Sequence, residues 1–227
     1  NFWRLQYADV YSKINLIPAD LTDMGSLINS IKISDPDEVY NMAAMSFVRT
    51  AFEQPVGNSH STGTAVTRFL ESIKSINPNV KFYQASSSEM FGNSNTQIQN
   101  EQTSFSPASP YAAAKLYAHW ITKIYQEAYD MFAVSGILFN HESPIRGLEF
   151  VTRKITNAAA QIKLGLKKDI SIGNLQSKRD WGYAPEYMEA IYLMMQQDKP
   201  ETYVVSTGET YSVEELARVS FEILNLD

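Results

Sequence analysis

Two short segments hold the residues able to do chemistry. In SPYAAAK, Ser109 to Lys115, a tyrosine and a lysine stand four residues apart at the opening of a helical pattern. Ser109 suits the N-cap and Pro110 the first helical position. On a helix this spacing puts Tyr111 and Lys115 on one face. An ammonium beside a phenol favours the phenolate and lowers its pKa, giving a base for a hydroxyl proton, and the same lysine can hydrogen-bond ribose hydroxyls. The second segment, QASSSE from Gln84 to Glu89, closes an expected strand and adds a hydroxyl at Ser87 and a carboxylate at Glu89. One sugar could meet all four groups. Each segment alone is a weak signal, since YxxxK pairs are common on helix surfaces and a serine run reads as a polar loop. Their combination is stronger, because parallel α/β sheets bind ligands beyond the C-terminal ends of their strands.

The elements that must carry these residues alternate along the chain. Strands are expected at Ile14 to Ala19, Glu38 to Ala44, Val80 to Ala85 and Phe132 to Phe139, with helices over Leu27 to Ile33, Thr62 to Ile76 and Pro110 to Met131. Leu116, Trp120, Ile124 and Ala128 form the expected packing stripe of the last helix. This alternation predicts an α/β fold with a doubly wound parallel sheet of Rossmann type, its ligand edge set by right-handed crossovers. After Asn140 the pattern loosens. A helix from Phe150 to Leu164 precedes short strand-like pieces (ISIG and YVVST) and helices over Ala184 to Gln197 and Val213 to Leu224, which read as a smaller lobe. The expected division is 1–140 and 141–227, with interleaving of elements allowed.

Composition narrows the function classes. With 227 residues, 44% of them hydrophobic, the chain can bury a sizeable core. A net charge of −6 argues against nucleic acid or an anionic membrane as partner, though a local basic pocket could still hold a phosphorylated small molecule. The absence of cysteine removes disulfides, thiol nucleophiles and cysteine-based zinc sites, and no metal is expected. With no apolar run of membrane-spanning length and no signal peptide, a cytoplasmic protein is expected. The chain opens on Asn1 and closes on FEILNLD within a helical pattern, so a fragment of a longer protein is expected, lacking the first strand-helix unit and the C-terminal end.

QASSSE and SPYAAAK together resemble the extended short-chain dehydrogenase/reductase enzymes that act on nucleotide sugars. Sugar epimerases of that group generally lack an acid at Glu89, and dTDP-glucose dehydratases place an Asp-Glu pair where this chain has Ser88-Glu89. UDP-glucuronate decarboxylases share the hydroxyl-Ser-Glu pattern, so the strand leaves them open. KFYQASSSEMFG, SPYAAAKLYAHW, FNHESPIRG, FVTRKI and GNLQSKRDWG are similar to the GDP-mannose 4,6-dehydratase family over nearly the whole chain.

That resemblance implies dehydration of GDP-mannose to GDP-4-dehydro-6-deoxy-mannose by internal hydride transfer through NADP. A decarboxylase or reductase acting on another nucleotide sugar is the alternative, as is a non-catalytic remnant. The implied catalytic set is Ser87, Glu89, Tyr111 and Lys115. NADP contacts are implied from Asp20, Leu21, Met42, Ala43, Ala44, Met45, Ser46, Lys115, His141 and Arg146. Asn140, Arg153, Lys154, Lys178 and Arg179 are the substrate-binding candidates, the four cations for a diphosphate. For Arg153 and Lys154 a solvated helix face is the rival reading, and for His141 a satisfied, partly buried histidine. The implied domains are a partial NADP-binding Rossmann domain and a partial substrate lobe, in a homodimer or homotetramer paired through the helices at Thr62 to Ile76 and Pro110 to Met131. Departures from the family pattern are Ser87 for a threonine, Ile145-Arg146 for an Arg-Arg pair, Gly57 near a tyrosine position, and no GxxGxxG loop.

Overall fold

Residues 2–96 and 98–226 are described by the computed structural model. In chain order its elements are α1 (Trp3–Tyr7), α2 (Met24–Ser34), β1 (Glu38–Asn41), α3 (Val48–Glu53), α4 (Pro55–Asn58) and α5 (Ala65–Ile76). There follow β2 (Lys81–Ser87), α6 (Pro110–Tyr129), β3 (Ala133–Leu138), β4 (Asn140–Glu142), α7 (Val151–Lys163), β5 (Lys178–Arg179) and β6 (Trp181–Tyr183). The last are α8 (Ala184–Met195), β7 (Thr202–Val205), β8 (Tyr211–Ser212) and α9 (Val213–Glu222). A four-stranded sheet runs β1-β2-β3-β7, all neighbours parallel. Outside it, β4 pairs with β6 and β5 with β8.

The sheet is buried on both faces, as parallel sheets must be. Strand alternation turns Phe82 to one side, where it packs with Val66, Leu70 and Ile73 of α5 and with Ala118 and Tyr125 of α6. Tyr83 and Ala85 point the other way, against Tyr187, Ile191, Met194 and Met195 of α8. Local signals set the helix ends. Asp23 accepts from the Gly25 N–H, Ser109 from the Ala112 N–H, and Ser212 with Glu215 forms a capping box at α9. Asp35 and Asp130 close α2 and α6 in left-handed conformation.

Four expectations are corrected. Ile14–Ala19 is not a strand: it runs outside the sheet with most of its residues exposed, and the edge of the sheet is β1. Without a neighbouring ladder its backbone groups gain nothing from pairing, and Pro18 has no N–H to offer. ISIG is likewise unpaired. Tyr203 to Val205 belong to β7 of the main sheet rather than to an outlying lobe, so α8 and β7 return the chain to the first layer. In α6 the buried residues are Tyr111, Ala112, Ala114, Lys115, Ala118, His119, Thr122 and Tyr125, while Trp120, Ile124 and Ala128 are exposed. Ala112, Ala114 and Ala118 let the helix lie close to its neighbours, and the larger side chains buried beside them, Tyr111, Lys115, His119 and Tyr125, each carry a polar atom. No helix among the described residues is long and apolar enough to cross a membrane.

Gly136 of β3 shows how tight the α8 side of the sheet is. A Cβ there would overlap the Tyr83 hydroxyl and come within 3.0 Å of two ring carbons. That hydroxyl is buried and has no hydrogen-bond partner. Gly136→Ala is therefore expected to destabilise by about 1–3 kcal/mol through overpacking. Tyr83→Phe, which removes an unpaired buried hydroxyl, should be neutral or stabilising and should recover part of the Gly136→Ala loss in the double variant. Urea denaturation of the four proteins measures both.

Candidate functional site

The C-terminal ends of β1, β2 and β3 open into a cleft of about 480 Å³. Tyr111 and Lys115 enter from the first turns of α6, fixed by the Ser109 cap and by Pro110 at the start of the helix. Ser87 ends β2, and its hydroxyl also accepts the Glu89 N–H at 3.3 Å, capping the short 3-10 turn Ser88–Met90. This turn carries the half-buried Glu89 to the cleft wall. Asn140, His141 and Arg146 come from the segment after β3. All four expected catalytic residues thus line one cavity.

Burial governs the electrostatics here. Tyr111 is 8% exposed. Burial pushes its phenol up to about 12; a hydrogen bond from Ser87 acts against this, Glu89 adds to it, and Arg146 opposes it. The sequence reading expected Lys115 to lower that pKa, and the structure gives the opposite direction. The reason is burial of the phenol, which the ammonium, turned to another acceptor, does not offset. Lys115 Nζ is 5.8 Å from the centre of the Tyr111 ring and donates to the Ala85 carbonyl at 2.6 Å. Burial brings Lys115 down to about 8.

The remaining expected residues divide. Met42, Ala44 and Ser46 line the cleft beyond β1, whereas Ala43 and Met45 do not. The Met45 backbone is tied to the adjoining π-helical stretch, Ser59–Thr64, and its approach: its N–H donates to Thr62 Oγ1 and its carbonyl accepts from Asn58 Nδ2, each at 3.1 Å. Asp20 and Leu21 lie outside the cleft. The Asp20 carboxylate accepts from the Thr22 N–H and hydroxyl, which with a smaller effect of Arg68 hold its pKa below the usual value. His141 donates from Nδ1 to the Phe139 carbonyl at 2.9 Å and stacks on Tyr187. The Arg146 guanidinium lies 3.6 Å over the Phe150 ring and pairs with Glu142 at 3.3 Å.

Of the substrate cations none reaches this cavity. Arg153 lines a neighbouring groove with Trp181 and Tyr183. Lys154 donates to the Ser171 carbonyl, Arg179 donates to the Lys178 carbonyl, and Lys178 pairs in β5 with Ser212. Conversely, Phe47, Arg49, Glu149 and Phe150 line the cleft and were not singled out from sequence. Phe47 and Phe150, both on its lining, meet edge-on at 5.8 Å. Arg49 follows Ser46 closely enough that extending NMAAMS along α3 would have found it; Glu149 and Phe150 depend on a fold-back of the chain that no local pattern announces.

The whole of residues 1–227 matches the family profile described as GDP-mannose 4,6 dehydratase. GDP-mannose 4,6 dehydratase 2 of Arabidopsis thaliana is 53% identical over 213 residues, covering 92% of this chain and 57% of that protein. The human GDP-mannose 4,6 dehydratase is 48% identical over 217 residues, covering 94% and 58%. The chain thus spans less than three fifths of the length of these relatives. Among solved structures, RMD from Pseudomonas aeruginosa, complexed with NADPH, superposes with a TM-score of 0.89 at 20% identity, covering 100% of this chain and 82% of that one. At that identity the likeness shows the fold.

Lys115 allows a test of the site's electrostatics. Its folded value of about 8 lies below the 10.5 of an unperturbed lysine. The unfolded chain therefore binds this proton more tightly, and the penalty on folding is fully present below pH 8 and fades as pH rises towards 10.5. Lys115→Met is expected to raise the thermal midpoint at pH 7, by at most roughly 3 kcal/mol in stability. The advantage should shrink between pH 8 and 10.5, a window that melting curves across pH would resolve.

Proposed function

Because this chain belongs to the GDP-mannose 4,6-dehydratase family, we propose that its cleft serves the dehydration of GDP-mannose to GDP-4-dehydro-6-deoxy-mannose. The observation that carries this reading is the meeting of Ser87, Glu89, Tyr111 and Lys115 in one cavity at the sheet's C-terminal edge. Hydroxyl, phenol and ammonium suit hydride exchange at a carbinol, and a carboxylate two residues beyond the hydroxyl adds elimination of water.

A nicotinamide dinucleotide, NADP by the family resemblance, supplies the hydride acceptor and donor when bound. The residues present fit such a group: beyond β1 the small Ala44 and Ser46 border the cleft, where a backbone can approach a dinucleotide, and Lys115 faces the same space. Met42, Ala44, Ser46, Lys115, His141 and Arg146 would hold it, with Ala43, Met45, Asp20 and Leu21 farther out.

Tyr111 takes the proton of the sugar's C4 hydroxyl, while Ser87 hydrogen-bonds that oxygen and Lys115 orients the reacting end of the cleft. Burial works against the phenolate, so opposing charge is needed, and Arg146 already acts on Tyr111 in that sense. Once C4 is a ketone the C5 proton is acidified. Glu89 removes it, and the C6 hydroxyl departs as water after protonation. With Ser88 in place of an acid, Glu89 also delivers that proton. The hydride removed from C4 would return to C6 while C5 regains a proton, which gives the 6-deoxy product with no net use of cofactor. Asn140, Arg153, Lys154, Lys178 and Arg179 are proposed to hold the nucleotide end, and α6 leaves Tyr117, Trp120 and Ile124 exposed for a dimer or tetramer contact.

Incubation of the protein with GDP-mannose and NADP should give a 4-keto sugar without net accumulation of reduced cofactor. Release of carbon dioxide from UDP-glucuronate instead would replace the reading with a decarboxylase. Glu89→Gln should lower product formation by about a hundredfold or more while bound cofactor is still partly reduced. Unchanged turnover in that variant would remove Glu89 from the mechanism.

A further inference from the structure

Three consecutive residues at the end of β2 are tied to three positions of α6. The Ala85 carbonyl accepts from Lys115 Nζ at 2.6 Å. The Ser86 hydroxyl meets His119 Nδ1 at 3.4 Å, with either atom able to donate. The Ser87 hydroxyl faces the Tyr111 phenol closely enough to lower its pKa. Tyr111, Lys115 and His119 follow at steps of four, so they form one line along the buried face of the helix.

The outer two ties belong to residues already placed in the chemistry; the middle one does not. His119 is 3% exposed and lies behind the cleft, whereas Ser86 lines it. The imidazole packs edge-on against Phe105 at 5.3 Å and Trp120 at 5.6 Å. Those ring contacts require an aromatic side chain but no nitrogen, and a phenylalanine would make them without desolvating a polar ring. Burial, with a smaller effect of Lys123, takes the His119 pKa down to about 4, so the ring stays neutral near pH 7. What the nitrogen adds is its partner on β2.

We propose that His119 is a positioning residue of the cleft, whose bond to Ser86 fixes the last residues of β2 against α6 and so holds Ser87 where it meets Tyr111. Its effect on turnover rests on the dehydratase reading of the same cleft; its effect on the Ser87–Tyr111 geometry does not. Position matters here because small displacements of a reacting pair cost large factors in rate, while the substrate's remaining contacts are untouched.

The test compares His119→Phe, Ser86→Ala, their double variant and His119→Asn, whose amide can reach the place of Nδ1. With GDP-mannose, His119→Phe and Ser86→Ala should each lower kcat by about tenfold with KM within about twofold. The double variant should lose little more, since both remove one interaction. His119→Asn should recover most of the rate. Additive losses, or no recovery by asparagine, would overturn the proposal. A second measurement needs no substrate: NMR signals of the Tyr111 ring, assigned by their loss in Tyr111→Phe, should move in His119→Phe and return in His119→Asn. Ser86→Ala, which leaves the ring packing intact, must move the same signals. Unmoved signals in both variants defeat the proposal whatever the enzyme turns over. Moved signals in a protein that does not dehydrate GDP-mannose would keep the positioning role and discard the dehydratase reading.

Discussion

The cleft depends on one constraint, the close approach of α6 to the end of β2, and the buried bond from Lys115 Nζ to the Ala85 carbonyl is its centre. An ammonium removed from water is costly unless acceptors surround it. The Ala85 carbonyl lies one residue past the last β1–β2 pair and also accepts from Gln84 Nε2 at 2.9 Å. Gln84 is in turn held by Asn41 at 2.9 Å, so the ends of β1, β2 and α6 share one chain of hydrogen bonds. Such an approach needs small residues. Ala112, Ala114 and Ala118 face inward, and a Cβ on Gly63 of the π-helical stretch would sit 3.4 Å from the Ala114 carbonyl. The π-helical turn lies where the backbone must leave room for this helix, a common place for such irregularity.

From that approach follows the electrostatic character of the site. Burial raises Tyr111 from 10.0 to about 12 and lowers Lys115 from 10.5 to about 8, so their proton affinities move apart and each group is pushed towards its neutral form. The cation that acts on Tyr111 is Arg146, brought there by Glu142 and by stacking on Phe150. Glu89 acts on the phenol in the opposite sense. Two buried groups held towards their neutral forms, with two opposing charges beside the phenol, make a site whose protonation depends on the charges placed around it.

What the sequence made legible was local. The Ser109-Pro110 start of α6, the i, i+4 placement of Tyr111 and Lys115, and the alternation that makes β2 a two-faced strand all depend on neighbours in the chain, and the structure has each. Expectations failed where the deciding partner is distant. Ile14–Ala19 is apolar enough for a strand, yet pairing needs an edge beside it. YVVST reads like any short strand, and only the space beside β3 makes it β7. Hydrophobicity misplaced the inner face of α6 because close helix packing favours alanine over tryptophan. The direction of the Tyr111 shift was missed for a related reason: spacing brings Lys115 onto the right face but does not say which acceptor its ammonium will choose.

Glu142 stands between the cleft and the neighbouring groove that Arg153 lines. Its Oε2 accepts from Thr152 Oγ1 at 2.7 Å on the side of the groove that Arg153 lines, and it pairs with Arg146 on the side of the cleft that Tyr111 lines. In the proposed reading the sugar lies with Tyr111 and Glu89, and the charged end lies beyond this wall. Lys154 and Arg179 now donate to exposed backbone carbonyls, bonds that contribute little in water and that a diphosphate could replace at small cost. Arg146 is different, since exchanging its partner would also change the charge felt by Tyr111. A ligand that draws Arg146 away from Glu142 thereby alters the base that is to act on it, which couples occupancy of the cleft to the protonation of its phenol.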